Sequence, residues 1–304
     1  MARTATIPTD DVRIGALEAG GTKMVLAVCT PSGRILEQES MPTVAPDDVV
    51  PDMAEWFRVR HVDALGIGAF GPTGVNSASP SYGHVLQTPK LAWRGYDFLG
   101  RMQEGVGVPC GYDTDVNVAC LGELTYGCAK GLDVVVYLTI GTGIGAGVAI
   151  GGQLLHGMLH PEAGHILLAI DPTDPGRSVC PYHDSCFEGL ASGPSIQARW
   201  GAPAVELQDR PEVWDLESTY IAQALTDYVL CYSPQRIILG GGVMKQEQLF
   251  GLVREKVTTY LAGYIATPEL EHMDTYIVPN SLHEEQGILG CVELGRRALV
   301  ARGE

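Results

Sequence analysis

The feature that most constrains the fold is a strand that breaks into glycine. Residues 139–147 read Thr-Ile-Gly-Thr-Gly-Ile-Gly-Ala-Gly, directly after the apolar run Asp133–Leu138. A strand over 134–139, this turn, a second strand over 147–150, a Gly151-Gly152 turn and a third strand over 153–156 form a meander. The N-terminal part repeats the pattern. Residues 13–19 read as a strand, Gly20-Gly21-Thr22-Lys23 as a tight turn, 24–29 as a strand, Pro31-Ser32-Gly33 as a turn and 34–39 as a strand. Two such openings indicate an internal duplication. Helical spacing follows over 46–57 and 115–125, with strands at 63–69 and 108–112 between. In the second half, helical patterns over 217–231, 244–258 and 284–300 flank a strand at 236–239. Strands followed by helices in both halves predict an α/β protein of two domains.

Composition narrows the function classes. The chain has 304 residues and a net charge of −16, with only 20 Lys and Arg, which argues against nucleic acid as a partner. No apolar run is long enough to span a bilayer, and residues 1–8 lack the apolar stretch of a signal peptide, so a soluble cytoplasmic protein is expected. The eight cysteines do not form a disulfide framework, since six of them sit singly.

Three strand ends carry glycine clusters: Gly20-Gly21-Thr22, Gly141-Thr142-Gly143 and Gly240-Gly241-Gly242. Glycine lets backbone N–H groups approach a ligand with no Cβ in the way, and threonine hydroxyls add donors. One such turn alone is an ordinary hairpin. Two at matching positions of a duplicated frame, with a third after a later strand, point to phosphate oxygens. None is a Walker A loop. The partial G-x-G-x-x-G at 141–145 is followed by a strand rather than a helix, which excludes the dinucleotide fingerprint. Residues Cys180-Pro-Tyr-His183-Asp-Ser-Cys186, with His165 upstream, have the donors and spacing of a four-ligand zinc site. Four protein ligands leave no open position, so such an ion is structural.

The stretches L-E-A-G-G-T-K, D-T-D-V-N-V-A-C-L-G-E, T-I-G-T-G-I-G-A-G and I-I-L-G-G-G-V-M resemble the phosphate, catalytic and adenosine motifs of the actin/hexokinase superfamily, and within it the ROK sugar kinases. E-A-G-G-T-K and C-P-Y-H-D-S-C-F-E-G-L-A-S-G-P-S most resemble the bacterial zinc-containing fructokinases. The resemblance runs over about 14–290. It implies an α/β, two-domain actin/hexokinase-like (ribonuclease H-like) duplicated fold with an interdomain cleft. The domains would be 1–115 and 116–290, the zinc loop 165–186 would lie in the second, and a C-terminal helix over about 291–304 would pack back on the first. ATP phosphates would lie between the turns at Gly20, Gly21, Thr22 and Lys23 and at Gly141, Thr142 and Gly143. Pro194, Gly240, Gly241, Gly242, Val243 and Met244 would complete the nucleotide site.

Asp115 matches the family's catalytic aspartate, a base that accepts the sugar hydroxyl's proton. Glu18 replaces the usual Asp of the first turn and would help place Mg2+. His165, Cys180, His183 and Cys186 would hold Zn2+, and His165 could touch sugar with its other nitrogen. Glu162 and Glu188 are acceptors for sugar hydroxyls, with Asn117 beside them by motif, while Gly71 either shapes the sugar pocket or is a plain turn. The implied activity is ATP-dependent phosphorylation of a hexose, most simply fructose to fructose 6-phosphate, by a homodimer. Mannose, glucose or N-acetylmannosamine are alternative substrates. A sugar-responsive ROK regulator is a further alternative, and the start of the first strand near residue 13 and the acidity disfavour it.

Overall fold

The computed structural model describes residues 11–302. Residues 1–10, which include the stretch read for a signal peptide, and the last two residues of the expected C-terminal helix lie outside the described residues. The chain divides into two units: Met1–Gly131 with Leu154–His160 and Ser281–Glu304, and Leu132–Gln153 with Pro161–Asn280. This division differs from the expected boundary at 115/116. The helix that follows Thr114 stays with the first unit because the C-terminal helix Gln286–Arg302 packs along it and across the first sheet. A Cβ on Gly290 of that helix would come within 1.6 Å of the Val118 carbonyl oxygen, so the two helices touch backbone to backbone.

The first unit is built on β1 (Ile14–Ala19), β2 (Lys23–Cys29), β3 (Ile35–Pro42), β4 (Ala64–Ala69) and β5 (Cys110–Thr114), in the spatial order β3-β2-β1-β4-β5. Between them run α1 (Pro46–Arg58) and α2 (Phe98–Val106), and α3 (Asp115–Thr125) follows β5. Alternation along the strands feeds two cores. Leu17, Leu26 and Ile67 face Met53, Phe57, Phe98 and Met102 of α1 and α2. Ile14, Ala16 and Ala27 face Val118 of α3 and Ile288, Cys291 and Val292 of the C-terminal helix. The sequence reading missed α2 because Gly100 and Gly105 lower its helical propensity. Asp97 caps it, accepting from the Gly100 N–H at 2.9 Å, and burial of Phe98, Leu99, Met102 and Val106 decides its state.

The second unit repeats the sheet: β6 (Val135–Ile140), β7 (Ile144–Ile150), β8 (Gln153–Leu154), β9 (Arg236–Gly240) and β10 (Ile277–Pro279), in the order β10-β9-β6-β7-β8. In both sheets the first two strands are antiparallel and the first strand pairs in parallel with the fourth. β7 begins three residues before the expected 147, because Ile144 already pairs with Ile140. β8 is shorter than expected, since the chain leaves the unit after Gln153. Its helices are α4 (Phe187–Ala191), α5 (Gly193–Trp200), α6 (Pro211–Tyr232), α7 (Gln248–Leu261) and two single turns, α8 (Pro268–Glu271) and α9 (Met273–Tyr276). α6 begins six residues earlier than expected, with Pro211 in its first turn.

Candidate active site

In the first unit, parallel pairing aligns three strand ends. Glu18 pairs with Gly68, and Gly68 with Asp113; one residue on, Ala19 pairs with Ala69, and Ala69 with Thr114. The next residues along the chain are therefore Gly20, Phe70 and Asp115, at the carboxyl edge of the sheet, where open α/β sheets hold ligands. Gly20 closes its turn by donating to the Lys23 carbonyl at 3.0 Å. Gly21, Thr22 and Lys23 are exposed. Burial pushes the Glu18 carboxyl up to about 7; the Asp115 charge adds to this and Lys23 opposes it. Glu18, Lys23 and Asp115 are thus electrostatic neighbours, as a phosphate-and-metal site would need. Gly71 follows β4 exposed, joined to Pro72 by a cis peptide, and a Cβ on it would come no nearer than 4.0 Å to His160 Nε2.

Asp115 opens α3 but does not cap it. The cap is Thr114, whose hydroxyl accepts from the Asn117 N–H at 3.1 Å. The Asp115 carboxylate accepts from the Val116 N–H at 2.8 Å through Oδ1, and the residue keeps partial exposure. Asn117 departs from the expected sugar contact. It is fully buried, and its Nδ2 donates to Asp113 Oδ1 at 2.6 Å, so it supports the strand end from behind. Asp113 also accepts from the Thr114 N–H at 2.8 Å, and its Oδ2 lies 2.8 Å from His156 Nε2. That bond raises the His156 pKa.

In the second unit, Gly141 donates to Gly143 O at 2.9 Å, and Gly193, which opens α5, donates to Gly141 O at 2.7 Å. The exposed Pro194 follows, so the N-terminus of α5 abuts the glycine turn. Gly240 ends β9 opposite Thr139. Gly241 has φ +91°, and a Cβ there would fall 2.5 Å from Ile140 O; glycine is required by the fold. Gly242 has ordinary helical torsions, and a Cβ there would meet nothing within 4 Å. Val243 and Met244 are buried, so their side chains pack inside the unit rather than facing a nucleotide.

The four expected metal ligands converge. His165 Nδ1 lies 3.6 Å from Cys186 Sγ and 4.0 Å from Cys180 Sγ, and His183 Nδ1 lies 3.6 Å from Cys180 Sγ. All four donors fall within 4.8 Å of one another. A tetrahedron with bonds of about 2.0–2.3 Å has edges of about 3.3–3.8 Å, so the donor set fits zinc with little movement. Burial pushes the Cys186 thiol pKa up. The ring of His165 turns its Nε2 toward Glu188 Oε1 at 3.8 Å, too long for a hydrogen bond, while Glu188 Oε2 accepts from the Ile144 N–H at 2.9 Å. Glu188, two residues after Cys186, therefore braces the end of the glycine turn. Glu162 is exposed one residue before the short helical turn Ala163–His165.

A second anchor of this loop escaped the sequence reading. Asp174 accepts from Arg199 Nε at 2.7 Å and from the Tyr220 hydroxyl at 2.6 Å, and both charged side chains are buried. Burial alone would raise the Asp174 pKa, but the bonds from Tyr220, the Gly176 N–H and Arg199 outweigh it and hold it low. No spacing rule connects residues 174, 199 and 220.

The family model described as ROK family matches residues 14–298. The chain belongs to the ROK family. It is 43% identical to a fructokinase of Pediococcus pentosaceus over 94% of this chain and 98% of the relative. It is 39% identical to a fructokinase of Streptococcus mutans over 95% and 97%. Among solved structures it is similar to the ROK hexokinase of Thermus thermophilus, with a TM-score of 0.76 and 25% identity over 93% of this chain and 98% of that one. This ROK protein accordingly has the two-domain actin/hexokinase-like architecture, and its two matching sheets are the duplicated halves of that fold. Among the described residues no helix is long and apolar enough to cross a membrane.

Proposed function

We propose that this ROK protein is an ATP-dependent hexose kinase acting on fructose to give fructose 6-phosphate. The observation that carries the reading is the alignment of Glu18, the Gly20 turn and Asp115 at one sheet edge, in a chain related over nearly its whole length to fructokinases. In the reaction the sugar hydroxyl oxygen bonds to the γ-phosphorus, the bridging bond to ADP breaks, and the Asp115 carboxylate takes the hydroxyl proton. Gly20 and Gly141 use their own N–H groups to close the turns, so the N–H groups of Gly21 and Thr22 in the first unit and of Thr142 and Gly143 in the second are the ones offered to phosphate oxygens, and the strand end carrying Gly240, Gly241 and Gly242 offers backbone groups to the nucleoside. Magnesium supplied with the nucleotide would neutralise phosphate charge, with Glu18 as the residue to hold it and Lys23 as the neighbouring cation. Glu162 and Glu188 accept from sugar hydroxyls.

His165, Cys180, His183 and Cys186 would hold zinc, which would fix the loop's conformation. The Asp174–Arg199–Tyr220 anchor holds the middle of the same loop, between His165 and Cys180. The reading places the protein in the cytoplasm, where ATP and reduced thiols are found, as a homodimer that sedimentation can verify. A coupled assay with ATP and a panel of fructose, mannose, glucose and N-acetylmannosamine tests the substrate. Fructose should give the highest kcat/KM, and a higher value for any other sugar overturns that assignment.

A further inference from the structure

The bond between Asp113 and His156 has no place in the chemistry above, yet it sits behind the proposed base. Asp113 is 2% exposed. Its Oδ1 is spent on the Thr114 N–H and on Asn117 Nδ2, the two groups that set the first turn of α3. Its Oδ2 lies 2.8 Å from His156 Nε2. A buried carboxylate oxygen left without a donor is costly, and the carboxylate would rotate or take up a proton, disturbing its other two bonds. Asp115 lies between the residues that hold those bonds, so a shift of the Asp113 carboxylate moves the direction in which Asp115 presents its own.

His156 is not a core residue. Its side chain is 35% exposed, and it stands on Leu154–His160, the short excursion that returns to the first unit after β8. That excursion is held at a second point, where Asn76 Nδ2 donates to Gly157 O at 3.1 Å. Five residues after His156 the chain enters Pro161-Glu162-Ala163-Gly164-His165, the stretch proposed for sugar and metal.

We propose that His156 is a positioning residue for phosphoryl transfer: by holding Asp113 it fixes the first turn of α3 and the aim of Asp115. The inference rests on the kinase reading. Misplacement of a catalytic group by a fraction of an ångström lowers the chemical step more than substrate binding. His156→Ala should therefore lower kcat about tenfold, with KM for ATP, zinc content and Tm close to those of the parent. His156→Gln, whose amide can donate to the same oxygen, should recover kcat to within about threefold of the parent. Asp115→Asn is assayed beside them. A kcat for His156→Ala within twofold of the parent overturns the proposal. So does a glutamine variant as slow as the alanine variant, or a loss of kcat that tracks loss of folded protein in both. If Asp115→Asn retains activity, the assignment of the base fails instead, whatever the histidine variants do.

Discussion

The two sheets of this ROK protein share strand order and pairing, yet their equivalent edges carry different chemistry. In the first unit the turn after β1 and the end of β5 bring side-chain charge together: Glu18, Lys23 and Asp115. In the second unit the turn after β6 and the end of β9 offer backbone groups: Gly141 to Gly143, the start of α5, and Gly240 to Gly242. The two halves share a scaffold and differ at their edges, and in the proposed reaction the first would serve proton transfer and metal, the second the polyanion. The second unit also carries what the first lacks, the loop with His165, Cys180, His183 and Cys186, held by the buried Asp174–Arg199 pair. A loop with so many polar residues is not fixed by apolar burial alone; a buried ion pair holds it, and metal on its four donors would add to this.

The charged edge of the first unit should be the more sensitive of the two to a single substitution. Asp115→Asn should lower kcat by about 10^3-fold or more with little change in Tm, whereas an activity near the parent's would remove the assignment of acid–base chemistry to the first unit.

The backbone edge is tested by two neighbouring glycines. Gly241→Ala forces a left-handed torsion and a backbone overlap, and should cost about 3 kcal/mol or prevent folding, read by denaturant titration. Gly242→Ala has room and helical torsions in the protein alone, so its Tm should hold within about 1 °C while KM for ATP rises about tenfold. Equal, unchanged KM values in that variant would mean that the strand end does not approach the nucleotide.

The loop that only the second unit carries should respond to metal removal. A strong chelator, or Cys186→Ser, should lower Tm by about 5 °C or more and release zinc detectable by elemental analysis; a preparation with no zinc and an unmoved Tm would exclude the metal. The smallest expected effect concerns Glu217 of α6, which is 1% exposed with neither carboxyl oxygen hydrogen-bonded. Burial raises its pKa well above the ordinary 4.5, opposed by Arg199. The folded protein therefore keeps a proton that the unfolded chain loses above about pH 4.5, and stability falls as pH rises from there toward the folded pKa. Glu217→Gln removes that slope. It should raise Tm by about 2 °C at pH 8 and by less at pH 5, and a gain that is larger at pH 5 would reverse the sign of the argument.

The duplicated frame, the three glycine turns and the clustering of His165, Cys180, His183 and Cys186 were legible in the sequence, because each is carried by short motifs. Gly-Thr-Gly after an apolar run, or Cys-x-x-His-x-x-Cys, keeps its meaning without knowledge of distant neighbours. The bonds Asp113–His156 and Arg199–Asp174 were not legible, since they join residues 43 and 25 positions apart with no periodic relation. Nor could the sequence place Asn117, which shares a motif with Asp115 yet points into the interior because a helix turns successive side chains by about 100°. Short motifs supply the groups proposed for phosphate, proton and metal. Tertiary structure alone decided which of them are aligned, capped or buried, because strand register and helix packing depend on contacts between segments that no local pattern encodes.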